Sequence, residues 1–463
     1  MPARTRYFGP NFALKTSADP DGQYHHSHAD NNAEHRNEYD GPRKAVLPVL
    51  VEQDAACNEM GEGHGEADED SRLGLLLACN GQAVPEAVRP AETAPATMPL
   101  RTGAERMEEY LPLLQGRRVA VVTNQTGRVG EVHLVDTLLA RGVQVVKVFA
   151  PEHGFRGMAD AGERIHDDRD APTGLPVISL YGRNKKPAPA QLKDVDLLLF
   201  DIQDVGVRFY TYISTLHYVM EAAAELGKPV LVLDRPNPNG FAVDGPVLDT
   251  AYRSFVGMDP VPLVHGLTMG EYARMLNGEG WLRGGERCAL QVIACSGYDR
   301  TMHYVLPVRP SPNLPDMAAV RLYPSLGLFE GTVVSVGRGT EMPFQCIGYP
   351  KNPWGALHFT PLPMPGAKDP PYKGILCTGL DLRQDSLALG YAPSVLDLRW
   401  LLGMYAHCPD RATFFNNFFD TLAGGPALRQ AIQAGWTEDQ IKQSWQPALD
   451  AFKEKRRKYL LYP

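Results

Sequence analysis

Four short polar motifs carry the chemistry-bearing residues of this chain: TNQTG at 123–127, PEHG at 151–154, DIQDVG at 201–206 and DRPNPNG at 234–240. PEHGFRG brings Glu152, His153 and Arg156 into one turn-forming loop. A carboxyl group on a partly enclosed loop can have its pKa raised and donate a proton, which suits cleavage of a glycosidic bond. Glu152 is therefore the first choice for a general acid, against the plainer reading of a helix cap or an ion pair with Arg156. DIQDVGVRFYTY adds Asp201, Gln203, Asp204, Arg208, Tyr210 and Tyr212. Asp201 follows four apolar residues and is placed to present a carboxylate at a strand end. Asp204 could instead cap the next helix, and Arg208 could neutralise it or fork a ligand carboxylate. Asp234, Arg235, Asn237 and Asn239 sit on a proline-stiffened loop whose amides and guanidinium can address hydroxyl, acetamido or carboxylate oxygens, or simply close a tight turn. Asn124, Gln125 and Thr126 could bind sugar oxygens. His265 could orient a ligand or pack within its loop.

The elements that would position these motifs alternate. RRVAVVT, VQVVKVFA, PVISLYG, VDLLLFD and PVLVLD read as short buried strands, and HLVDTLLARG and TYISTLHYVMEAAAELG as helices between them. This is the βαβ signature of a mainly parallel sheet, and all four motifs follow strand C-terminal ends, where ligands bind in open α/β sheets. The expected fold is α/β: a Rossmann-like, mainly parallel sheet over residues 101–295 with a smaller C-terminal α+β domain over 296–463 closing a cleft. Residues 262–281 predict a helix capped by Thr268 with Glu271 completing a capping box. Further helices are expected near 394–408, 412–432 and 437–460, with the paired phenylalanines at 414–415 and 418–419 in the core. The stretch SVGRGTEMPFQCIG is taken as connection between strands.

Several classes are disfavoured. There is no GxGxxG or GxxxxGK[ST] spacing for a dinucleotide or nucleotide phosphate, no HExxH and no GxSxG elbow. No cofactor or metal is expected. The seven cysteines show no CxxC pair, and isolated buried thiols are the default. The net charge of -8 lies entirely in residues 1–100, which hold 16 acidic and 8 basic side chains, so the remainder is balanced and carries no basic footprint for nucleic acid. Residues 1–100 read as a disordered leader. No run of 18 apolar residues marks a membrane span. LGLLLAC at 73–79 resembles a bacterial lipoprotein signal ending in a lipidated Cys79, with a Pro- and Ala-rich tether after it. Acidic residues stand where a basic region belongs, so an ordinary leader on a cytoplasmic protein is the alternative.

The stretches VVTNQTG, FAPEHGFRG, PVISLYG, LLLFDIQDVGVRFYTYISTL, VLDRPNPNG and RPSPNLP together resemble the bacterial exo-β-N-acetylmuramidases, a family formerly known as a domain of unknown function. The likeness spans roughly residues 104–463. It implies hydrolysis of terminal β-1,4-linked N-acetylmuramic acid from the non-reducing end of peptidoglycan fragments; an envelope or periplasmic location is the expectation from the lipoprotein-like signal at Cys79. By the same resemblance Glu152 is the catalytic acid, and Asp201, Arg208, Asp234, Arg235 and Asn239 fall in site loops. An arginine among these would receive the lactyl carboxylate of muramic acid. Retaining, inverting and substrate-assisted routes stay open. The alternatives are a peptidoglycan-binding lipoprotein without turnover and a sugar-modifying transferase.

Overall fold

The computed structural model describes residues 98–152, 154–156, 168–182, 184–391 and 396–463. His153, Cys79 and the leader expectations lie outside them. Fourteen strands occur among the described residues: β1 Val119–Thr123, β2 Arg128–Val129, β3 Val132–His133, β4 Val145–Ala150, β5 Asp168–Arg169, β6 Pro176–Ser179, β7 Leu197–Asp201, β8 Val230–Leu233, β9 Asp244–Val247, β10 Pro262–Val264, β11 Leu290–Ile293, β12 Cys346–Tyr349, β13 Leu357–Phe359 and β14 Cys377–Asp381.

Seven of them form one sheet in the order β11-β8-β7-β1-β4-β6-β5, in which every pairing is parallel except β5 with β6. Counting only the parallel strands along the chain, the order read from β6 is 3-2-1-4-5-6, the doubly wound Rossmann order. The direction of winding reverses between β1 and β7. β1, β7 and β8 are buried at every position, as strands covered on both faces must be.

Alternate residues serve opposite faces. Val119, Val121, Leu197, Leu199, Leu231 and Leu233 join α1 (Met107–Leu114) and α2 (Leu134–Ala140) in one core. Ala120, Val122, Leu198, Phe200, Val230 and Val232 face α3 (Tyr212–Glu225) and α4 (Met269–Glu279) in the other. This second core continues without a break into α5 (Met317–Leu326) and the C-terminal helices, so the two parts of the chain share apolar packing. Thr268 caps α4 in a full capping box with Glu271, as expected.

The C-terminal part holds a small antiparallel sheet, β12-β14-β13, and the helices α6 (Ser386–Leu389), α7 (Arg399–His407), α8 (Phe419–Ala423), α9 (Ala427–Gln433) and α10 (Glu438–Arg456). The single helix expected over 412–432 is broken. Gly424 and Gly425 take φ of +83° and +147°, and Pro426 follows, so the chain turns between α8 and α9. Phe414 and Phe419 are fully buried, as the core reading requires, although they do not share one helix. The five described cysteines are buried free thiols. No helix among the described residues is long and apolar enough to cross a membrane, and no group of three metal-ligating side chains occurs among them.

Candidate active site at the sheet switch point

In a doubly wound sheet the loops after the two strands flanking the reversal diverge and leave a crevice. Here those loops are TNQTG after β1 and DIQDVG after β7, and Thr123 pairs in register with Asp201. The crevice floor is tightly interlocked. Asn124 Oδ1 accepts the Thr126 amide at 3.0 Å and its hydroxyl at 2.6 Å, and the Thr126 hydroxyl accepts the Gln203 amide at 3.0 Å. Gln203 donates to the carbonyls of Asp204 and Pro236. Gly127 is required here: a Cβ would stand 2.0 Å from the Thr123 hydroxyl and 3.1 Å from Asp201 Oδ2. Asp201 is forked by Arg235 at 2.6 and 2.9 Å, and the same guanidinium donates to the Arg128 carbonyl. This buried pair ties β7 to the loop after β8.

Glu152 follows β4, the strand next to β1, and is half-buried. Thr211, the residue before α3, donates its hydroxyl to Glu152 Oε2 at 3.1 Å. Tyr212 opens α3 beside it. Burial pushes the Tyr212 phenol upward, with Tyr210, Glu152 and Asn124 as its polar neighbours, yet its hydroxyl makes no well-formed hydrogen bond to any of them. Asn124 Nδ2, Gln125 Oε1 and Gln203 Oε1 are likewise buried without a partner among the described residues. Buried polar atoms in native folds are normally satisfied, so four such atoms at neighbouring strand and helix ends mark a place built for a polar ligand or water. The RPSPNLP loop is drawn to the same place: Gln125 Nε2 and the Tyr210 hydroxyl both donate to the Pro310 carbonyl, at 3.0 and 2.9 Å.

Other residues singled out in the sequence serve the scaffold. Asp234 is completely buried and accepts from the Arg235 and Gly270 amides and from the Thr268 and Tyr462 hydroxyls, which fastens α4 and the C-terminus to β8. Burial pushes its carboxyl up to about 6, against the pull of those donors. Arg208 meets no carboxylate. Its terminal nitrogens donate to the carbonyls of Pro246, Val261 and Leu422, and burial lowers its pKa to about 9. Its guanidinium is thus enclosed, with the terminal nitrogens engaged by backbone and Nε without a partner among the described residues. Asn237 accepts from the Asn239 amide and donates to Leu267, and Asn239 donates to Val205, so both close the turn. Arg156 forks Asp170.

Asp204 does not cap α3; it accepts the Gly206 amide within its own turn. His265 Nε2 lies 3.6 Å from Asp204 Oδ2. Burial moves the two in opposite directions, Asp204 up to about 7 and His265 down to about 3. The contact therefore joins two groups driven toward neutrality and is not an ion pair. One residue passed over as connection belongs to this neighbourhood: Arg338, whose Nη1 is buried and unpartnered and whose field includes Glu152. A lone arginine between two glycines in a loop gives little signal until the loop is folded.

Rossmann winding without a nucleotide-phosphate loop, joined to a carboxylate beside unsatisfied amide and phenol groups, defines an α/β protein whose polar groups gather at the sheet switch point. The chain belongs to the exo-β-N-acetylmuramidase NamZ family, whose N-terminal model matches residues 119–318 and whose C-terminal model matches residues 321–462. It is 39% identical over 387 residues to the peptidoglycan β-N-acetylmuramidase NamZ of Bacillus subtilis, covering 78% of this chain and 91% of that protein. Crystal structures of two DUF1343 family proteins from Bacteroides fragilis are also similar. One has 44% identity and a TM-score of 0.73, the other 32% and 0.68; each comparison covers 79% of this chain and 99% of the relative.

Proposed function

We infer that the protein is an exo-acting β-N-acetylmuramidase that hydrolyses terminal β-1,4-linked N-acetylmuramic acid from the non-reducing end of peptidoglycan fragments. The observation that carries the chemistry is Glu152, held by Thr211 at the edge of the switch-point crevice among unsatisfied polar groups. In this reading Glu152 protonates the glycosidic oxygen as the bond to the anomeric carbon breaks. Asn124, Gln125, Gln203 and Tyr212 supply amide and hydroxyl partners for the sugar. Asp201, enclosed and forked by Arg235, acts by positioning the loops. The binding-only alternative is not favoured, since the family and the Bacillus relative are named for hydrolysis.

The reading extends to the route. Glycosidases need a second group opposite the acid, either a carboxylate or the substrate's own acetamido oxygen. Asp201 and Asp234 both have their oxygens engaged by protein donors, and Asp204, whose Oδ1 has no partner among the described residues, is pushed by burial up to about 7 and toward the neutral form. That supports participation by the acetamido group. Replacing the N-acetyl group by N-trifluoroacetyl should then slow hydrolysis by more than tenfold, whereas an enzymic nucleophile would be nearly indifferent.

Release of a chromogenic aglycone from an aryl β-N-acetylmuraminide tests the function. Wild type should turn over, and Glu152→Gln should lose about 10²- to 10⁴-fold in kcat while retaining ligand binding. No release above blank from wild type would refute the reading. Export and lipid anchoring through Cys79 are proposed from LGLLLAC and the tether alone. Labelled palmitate should enter the wild-type chain in bacteria and not Cys79→Ser.

A further inference from the structure

Muramic acid differs from glucosamine by a lactyl ether ending in a carboxylate, so an enzyme that selects it needs a cation with donors to spare. The site arginines named from sequence each spend a pair of nitrogens on protein acceptors, and Arg208, whose Nε also lacks a partner among the described residues, is completely enclosed, whereas the Arg338 side chain keeps 18% exposure. Arg156 forks Asp170, Arg235 forks Asp201, and Arg208 spends its terminal nitrogens on backbone carbonyls. Arg338 is different. Its Nε and Nη2 lie 2.9 and 2.8 Å from one oxygen of Glu330, its guanidinium carbon sits 5.0 Å from the centre of the Phe344 ring, and Nη1 is buried with no partner among the described residues.

The backbone is shaped to hold that side chain. Gly337 and Gly339 flank it at φ of +78° and +80°. A Cβ at Gly337 would be 2.6 Å from Cys346 Sγ, and one at Gly339 2.5 Å from Pro370 Cγ, so neither position admits another residue without rearrangement. Phe344, the ring beneath the guanidinium, is itself in the left-handed region at φ +54°, where a bulky residue stores strain. A chain of edge-to-face rings leads from it to the acid: Phe344 to Tyr323 at 4.9 Å, Tyr323 to Tyr210 at 5.9 Å, Tyr210 to Tyr212 at 4.7 Å. Thr211, between the last two, holds Glu152. Burial disfavours the charge on Arg338, but Glu330 and, more weakly, Tyr323 and Glu152 outweigh it, so the guanidinium stays cationic.

We propose that Arg338 is the specificity residue of this enzyme, its unpartnered Nη1 receiving the lactyl carboxylate of the terminal N-acetylmuramic acid. The proposal rests on the exo-muramidase reading above. Glu330 fixes one edge of the planar fork, Phe344 fixes its face, and the remaining edge is left for an anion. A charge-assisted hydrogen bond of this kind is stronger than one between neutral groups.

The test compares an aryl β-N-acetylmuraminide with the same compound carrying a lactyl N-methylamide. Wild type should prefer the free acid by about ten- to a hundredfold in kcat/KM. Arg338→Met should bring that ratio close to one by losing activity on the acid, with activity on the amide changed by less than about threefold. Because the ratio is internal to each preparation, it does not depend on how much of a variant folds. Arg338→Lys, which keeps the charge but not the fork, should retain part of the preference and covers the case in which the methionine variant is insoluble. An acid-to-amide ratio unchanged from wild type in either variant overturns the proposal. If wild type cleaves neither compound, it is the glycosidase reading that fails; Arg338 is then judged by calorimetry with free N-acetylmuramic acid and N-acetylglucosamine, where equal affinities in wild type would overturn it and a preference for the acid lost in Arg338→Met would uphold it.

Discussion

Replacing Asp201 by Asn keeps its shape and removes one charge from the pair at the centre of the switch point. The side chains of Asp201 and Arg235 are 0% and 4% exposed, and the fork closes at 2.6 and 2.9 Å. The amide can still accept one of the two donors, but it leaves the guanidinium charge uncompensated. Breaking a buried pair from one side costs about 3–5 kcal/mol, and the retained acceptor places Asp201→Asn near the low end, at about 3. With about 2.1 cal/mol/K of unfolding entropy per residue, a unit of about 360 residues gains roughly 0.75 kcal/mol/K on unfolding. The melting temperature should therefore fall by about 4 °C. Solvent reaches neither group, so the drop should be nearly the same at 50 and 500 mM salt. Scanning calorimetry at pH 7 measures it. Adding Arg235→Met removes the orphaned charge and should restore at least half of the loss, since an apolar replacement of a whole buried pair is often neutral. A drop below about 1 °C, or a double variant as unstable as the sum of its singles, would refute the argument that this pair holds the crevice together.

Thr211→Val should lower kcat by about tenfold with little change in KM or melting temperature, because the hydroxyl positions Glu152 and carries little of the fold; unaltered kcat would refute this. Arg208→Met deprives the carbonyls of Pro246, Val261 and Leu422 of their donor and should cost about 3 kcal/mol in urea unfolding. A cost under about 1 kcal/mol would mean water replaces it. Asp204 has a folded pKa raised from 3.8 to about 7, so its contribution to stability is full below pH 3.8 and lost as the pH rises through about 7. Asp204→Asn, neutral throughout, should gain stability relative to wild type over that interval, and a pH-independent difference in melting temperature would count against it. His265 runs the other way: with its folded pKa lowered from 6.5 to about 3, its contribution is full above 6.5 and lost as the pH falls toward 3. His265→Gln should narrow the loss of melting temperature between pH 6.5 and 4, and an unchanged slope would refute it.

Local sequence determined a great deal of this protein. Strand periodicity and the loops after each strand marked the parallel sheet, and the capping box at Thr268 marked a helix start, because both signals depend on neighbours a few residues apart. The position of Glu152 in a loop directly after an apolar strand was legible in the same way, because the strand and the loop are adjacent in sequence. Strand order was not legible: which of five similar apolar strands flank the reversal depends on packing over distances of tens of residues, and so does the identity of the crevice. The same limit governs the polar residues. Asp201 and Asp234 look alike in sequence, each ending a buried strand, yet one is forked by Arg235 and the other is enclosed by Thr268, Tyr462 and two amides, partners up to 228 positions away. Arg208 meets the carbonyls of Pro246, Val261 and Leu422, and Arg338 meets Glu330, for the same reason. Whether an arginine has donors left for a ligand is decided by which carbonyls and carboxylates the tertiary fold brings to it, and that is information no window of sequence contains.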